Sequence, residues 1–126
     1  MDRVDYHLAE ADERLETARI LLDHKRPKDA IGRAYYAMYH AARAILLTRD
    51  ISPRTHKGLI QKFGEVFVKT ELVSKKYSVL LSKAESLREM ADYDVIHKFT
   101  MEEAEVIVSD ADKFIEKIEK ILEKEG

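Results

Sequence analysis

Apolar residues recur along almost the whole chain at intervals of three and four. Val4, Leu8, Ala11, Leu15, Ala18 and Leu22 form the first stripe, the spacing of one helix face. Asp2 is its N-cap, and HKRP (24–27) ends it, with Pro27 placed as the first residue of a second helix over 27–49. ISPRTHKG (51–58) is the clearest break, because Pro53 biases Ser52 away from helix. Thr55 caps a third helix over 57–70, weakened by Gly58 and Gly64. Ser74 caps a fourth over 75–90, and ADYDVIHKF (91–99) reads as an irregular or kinked connection. TMEE (100–103) is a capping box that opens a last helix ending near Lys124. Its buried stripe is expected at Ala104, Ile107, Val108, Ala111, Phe114, Ile115, Ile118, Ile121 and Leu122. No strand-like alternation persists. The pattern predicts an all-α fold: one domain over residues 1–126, an up-and-down antiparallel bundle of four to five helices.

The second helix has three distinct sides at about 100° per residue. Ala30, Ala34, Ala37, Ala41 and Ala44 share one, where small side chains let a neighbour approach closely. Tyr35, Ala42 and Leu46 make a second apolar side. Arg33, Tyr36, His40 and Arg43 line the third. A helix with two apolar sides belongs in the middle of the bundle, and its third side carries two cations, a phenol and an imidazole.

Composition narrows the chemistry. Hydrophobic residues are 45% and charged residues 37% of the 126, with only four Gly and two Pro, a balance suited to a globular helical domain. Net charge is −2, so nucleic-acid binding would need a local basic patch. There are no cysteines, which excludes disulfides, thiolate metal sites and cysteine nucleophiles. No signal peptide or membrane-spanning run is read from the sequence, so a cytoplasmic location is expected. No metal or cofactor is expected either. Asp94 and His97 form a single Asp-x-x-His, whereas a di-iron bundle needs two Glu-x-x-His pairs.

Three constellations carry candidate chemistry. The strip Arg33, Tyr36, His40 and Arg43 reads either as amphipathic core-edge residues with satisfied hydrogen bonds, or as a surface for phosphate and base. Arg88, Asp92 and Tyr93 crowd one helix end, where the plain reading is an Arg88–Asp92 pair at i,i+4. Arg54, His56 and Lys57 put three potential cations at a helix start, where backbone donors also favour anions.

RAYYAMYHAARAILL (33–47), THKGLIQKFGEVFV (55–68), LREMADYDV (87–95) and FTMEEAEVIVSDADKFI (99–115) resemble, in order and spacing, the HEPN domain, in its small stand-alone branch. The resemblance spans about residues 5–120. It implies an up-and-down helical bundle that commonly dimerises and acts with a minimal nucleotidyltransferase, frequently as toxin and antitoxin. Many such proteins are metal-independent ribonucleases, with an Arg followed four to six residues later by a His, paired across a dimer. Arg88 matches that Arg, and Asp92, Tyr93 and Asp94 stand where the His would fall. A carboxylate repels phosphate and is not protonated near neutral pH.

The leading expectation is therefore a nucleotide- or RNA-phosphate-binding subunit. His40 and Arg88 are the central pair, with Arg33, Tyr36, Arg43, His56, Lys57, Asp92 and Tyr93 around them. It requires Tyr36 and His40 to converge on Arg88. A ribonuclease with His40 as acid–base and a non-catalytic dimeric scaffold are the alternatives. The number of tyrosines in so narrow a bundle points to a homodimer, since some of Tyr6, Tyr35, Tyr39 and Tyr77 should lie at an interface.

Overall fold

Side-chain oxygens close the first turn of helix after helix. In the computed structural model, which describes residues 2–125, Asp2 accepts from the Asp5 N–H at 2.8 Å and opens α1, Arg3–Asp23. Pro27 opens α2, Pro27–Leu47. Thr55 accepts from the Gly58 N–H at 2.9 Å and opens α3, His56–Phe63. Ser74 caps α4, Lys75–Tyr93. Thr100 and Glu103 satisfy each other's backbone donors at 3.1 and 3.0 Å and open α5, Met101–Glu125. No strand occurs among the described residues. The all-α bundle expected from the pattern is the fold.

Two boundaries differ from the expectation. The third helix does not run evenly to residue 70. At Gly64 it widens into one π turn, Gly64–Val68, closed by the Lys69 N–H donating to the Gly64 carbonyl at 2.9 Å. Phe63 and Phe67, four residues apart and so on one face, are both buried, with rings 5.7 Å apart and Phe63 5.4 Å from Phe114. The fourth helix continues past Met90 to Tyr93. It stops where the Asp94 carboxylate turns back to accept from the Ile96 and His97 N–H groups at 2.9 and 3.1 Å, a local bond that competes with helix.

α1 and α2 are joined by three residues, 24–26. The Arg26 N–H reaches the Leu21 carbonyl at 2.8 Å and the Lys25 N–H reaches Leu22 at 2.9 Å. That is the Schellman pattern, with Lys25 at φ 57° in the left-handed place glycine usually takes. So short a link makes α1 and α2 antiparallel neighbours.

α2 is the central element and touches α1, α3, α4 and α5. Its alanine side, Ala30, Ala34, Ala37, Ala41 and Ala44, is wholly buried, as are Tyr35, Ala42 and Leu46 on its second side. The other walls come from Leu15 of α1, Leu81 of α4 and Ile107, Phe114 and Ile118 of α5. Truncating a buried ring such as Phe63 costs about 3–5 kcal/mol. An exposed pair such as Arg19–Asp112, at 3.0 Å with both side chains half exposed, contributes about 0–1 kcal/mol. The interior, not the surface charge pairs, holds the bundle.

The Thr55 cap matters because it starts the helix at His56. A Cβ on Gly58 would sit 2.9 Å from the Thr55 hydroxyl oxygen, so this cap also needs glycine at Gly58. Replacing Thr55 by Ala is expected to lower stability by about 1 kcal/mol, read as a shifted urea midpoint at unchanged m-value. An unchanged midpoint would show that the cap contributes nothing.

Candidate functional site

The α2–α4 contact is built around a charge. Arg88 projects from α4 and is only 7% exposed, as is Glu85 one turn earlier. Its Nη2 donates to Glu85 Oε1 at 2.6 Å and its Nη1 donates to Asp92 Oδ2 at 2.9 Å. The guanidinium lies 5.5 Å from the Tyr35 ring centroid and 5.9 Å from that of Tyr36, cation–π contacts that strengthen when desolvated. Burial works against the Arg88 charge. The hydrogen bonds it donates to Asp92 and Glu85 outweigh it and hold the pKa above the ordinary guanidinium value. The pair read from the sequence at i,i+4 is present, but it is half of a three-residue network whose Arg88 and Glu85 are buried and whose Asp92 lies at the rim.

Two members of that network were not singled out in the sequence. Glu85 stands at i−3 from Arg88, and that spacing was the available signal. The periodicity puts Tyr35 on an apolar side, and its ring is fully buried. Its phenol nevertheless meets His56 Nδ1 at 2.6 Å. His56 Nδ1 is also 3.9 Å from Glu85 Oε2. Burial first, then the negative charge of Glu85, push the Tyr35 phenol well above the usual tyrosine range. Glu85 Oε2 and Arg88 Nε are buried without a hydrogen-bond partner among the described residues. The His56 ring packs on Tyr36 and Tyr39 at 5.9 and 5.0 Å between centroids.

Beside the network a cleft of about 380 Å³ opens between α2 and α4. Lys28, Asp29, Gly32, Arg33, Tyr36, Ala91 and Asp92 line it. Arg33, Tyr36 and Asp92 are thus brought together. Tyr36 connects the cleft to Arg88 on one side and to His56 on the other.

His40 does not join them. Its Nδ1 lies 2.9 Å from His7 Nδ1 of α1, and the two rings stack at 5.1 Å. The charges that bear on it are Arg14 and Arg43, with His7, and not Arg88 or Asp92. The convergence of Tyr36 and His40 on Arg88 therefore holds for Tyr36 only. Four residues along a helix rise about 6 Å and advance about 40°, enough to carry the imidazole from the α4 side to the α1 side. Arg43 is engaged in structure. It donates from Nη1 to Tyr39 Oη at 2.9 Å and to the Pro53 carbonyl at 3.3 Å, and from Nη2 to Ser52 Oγ at 3.0 Å, tying the 48–55 connection to α2. Lys57 is exposed. Tyr93 is 80% exposed at the end of α4.

The chain matches the HEPN domain over residues 4–121. It belongs to the HEPN family. This HEPN chain is 41% identical over 114 residues to a Methanocaldococcus jannaschii protein named "Putative toxin MJ0605", covering 90% of this chain and 84% of that one. It is 31% identical over 120 residues to a Thermotoga maritima "UPF0332 protein", covering 95% and 91%. A second toxin-named M. jannaschii protein, MJ0142, is 30% identical over 115 residues, covering 91% and 78%. No helix of the described HEPN chain is long and apolar enough to cross a membrane.

The His7–His40 pair gives the bundle a pH dependence. Burial, then Arg14, His7 and Arg43, depress His40 from 6.5 to about 4. Burial, then Arg43 and Arg3, depress His7 against an opposing pull from Glu10. The folded state then binds fewer protons than the unfolded chain between about pH 6.5 and 4, so stability falls as pH drops through that window and is flat above it. Thermal melts at pH 7.5 and pH 5 should show a clear loss of Tm in the native chain and a smaller one in His40→Phe. Equal losses would place the titration elsewhere.

Proposed function

We propose that this HEPN chain is a nucleotide- or RNA-phosphate-binding subunit that acts with a minimal nucleotidyltransferase in a toxin–antitoxin-type pair. The observation that carries the binding half is the α2–α4 cleft, where Lys28 and Arg33 stand beside the Tyr36 ring, itself backed by the Arg88 guanidinium at 5.9 Å. The cations would neutralise phosphate and the phenol ring would stack on a base. The toxin names of relatives at 41% and 30% identity support the pairing half.

Asp92 favours binding over cleavage. It occupies the stretch after Arg88 where the ribonuclease motif carries His, and it neutralises the guanidinium directly. Its side chain is 49% exposed, so a ligand phosphate that approaches Arg88 replaces a carboxylate at the rim rather than an interior one. Binding of tetra-riboadenylate, followed by calorimetry at low salt, is expected to weaken roughly five- to tenfold in Arg33→Ala, the scale of one charge-assisted contact. Asp92→Asn should tighten it. No binding by the native chain, or no response to either substitution, would defeat the assignment of this cleft.

The partner reading includes a second copy of the chain. Tyr93, Val95 and Ile96 are 80%, 93% and 85% exposed, immediately after Asp92. Three such side chains in one short segment support reading it as a contact surface, and a copy seated there would adjoin the cleft. Sedimentation at micromolar concentration should give a dimer, and co-expression with a minimal nucleotidyltransferase should give a larger complex. A lone monomer in both experiments would leave the chain without the assembly proposed.

A further inference from the structure

The chain carries a net charge of −2, so a polyanion can be held only where cations gather and stay unpaired. The turn between α1 and α2 is such a place. A second cleft, of about 370 Å³, opens there between residues 25–29 and the 97–99 stretch that leads into α5. Lys25, Arg26, Lys28 and Lys98 line it, with Phe99 in its wall. It shares Lys28 and Asp29 with the α2–α4 cleft, so the two adjoin. Arg33 stands in the α2–α4 cleft, about 7.5 Å along α2 from Lys28. All five of these cations are exposed. Among the described residues none of them is held by a carboxylate, unlike Arg14, Arg19, Arg49 and Lys62. Two carboxylates share the lining, Asp29 and Asp92, and Asp92 is already committed to Arg88. An acidic molecule thus carries one stretch of surface where free positive charge prevails.

We propose that the two clefts form one track for a single-stranded phosphodiester chain of several nucleotides, with Lys25, Arg26 and Lys98 holding phosphates next to the nucleotide seated at Tyr36. That placement rests on the phosphate-binding reading of the α2–α4 cleft and extends it from a nucleotide to a strand. Cations spread over both clefts suit a repeated phosphate, and the rings of Tyr36 and Phe99, one in each cleft, suit successive bases. A lone nucleotide fills one cleft and leaves the cations of the other unused.

The salt dependence of binding counts the phosphates engaged, because log K falls against log salt with a slope of about −0.7 per contact for single strands. Fluorescence anisotropy on the full-length chain, with 5′-phosphorylated riboadenylates of two and eight nucleotides, reads that slope. Between about 50 and 200 mM salt the dinucleotide, confined to one cleft and two contacts, should lose affinity roughly sevenfold. The octamer, engaging five, should lose roughly a hundredfold. Lys25 sits at φ 57°, where a Cβ is strained and glycine is at ease. Lys25→Gly therefore removes a cation while easing the turn, so weaker binding in that variant does not report unfolding. Combined with Lys98→Gln it should shrink the octamer's loss to about twentyfold. Lys69→Gln removes an exposed cation outside both clefts and should keep the loss near a hundredfold. An octamer slope no steeper than the dinucleotide's overturns the track and leaves the α2–α4 reading standing. An octamer slope that the Lys25→Gly, Lys98→Gln pair leaves unchanged, or that Lys69→Gln reduces as much, overturns it likewise. If the dinucleotide binds too weakly to follow, the octamer variants decide alone. No binding of either oligonucleotide refutes the track together with the phosphate-binding reading.

Discussion

A guanidinium that keeps 7% of its surface must find its counter-charges inside the protein. Arg88 finds them on its own helix, in Glu85 and Asp92, and its flat face is received by two rings of α2. Separating α2 from α4 would leave a buried positive charge without its aromatic cover. Removing either carboxylate would leave it under-compensated, and uncompensated buried charge is among the most destabilising states a protein interior can hold. The arrangement therefore does two things at once. It fixes the approach of the two helices that wall the cleft, and it brings a cation and phenol rings to the same edge.

Much of the fold was legible because helix punctuation is local. Asp2, Thr55, Ser74 and the Thr100–Glu103 box each act within one turn, so reading four residues suffices. The buried stripe of α2, and that of α5 as far as Ile118, followed from spacing alone, while Ile121 and Leu122 at the end of α5 are only partly buried. The π turn at Gly64–Val68 did not, since nothing in the three- and four-residue apolar spacing around Phe63 and Phe67 marks it. The extension of α4 to Tyr93 was also hidden, since Asp94 can either continue or stop a helix according to where its carboxylate turns.

The site was legible in part, and the division has a geometric origin. Arg88 with Asp92, and Tyr36 with Arg33, are relations within one helix or across the expected α2–α4 seam. His40 shares the strip with Tyr36, yet a strip on a central helix is wide enough to face two neighbours, and the imidazole meets His7 on α1. Tyr35 misled in the opposite way. Periodicity reports where a ring goes and is silent about its hydroxyl, so a fully buried tyrosine on an apolar side can still be the polar hinge of a network. In sequence His56 is one of three potential cations at a helix start, whereas in the fold it meets a phenol and lies near a carboxylate. Arg88 and Asp92 were legible as an i,i+4 pair within one helix.

The alanines of α2 have a consequence beyond close packing. With Ala30, Ala34, Ala37, Ala41 and Ala44 all at zero exposure, the spacing between α2 and its neighbours is set by single methyl groups, the smallest gauge a side chain offers. Drift to even a valine along that seam would tilt or displace the rod bearing Tyr35 and Tyr36, detuning a polar cluster without touching any of its atoms. In this architecture the tolerance of the cleft to sequence change is decided by residues that have no chemistry of their own.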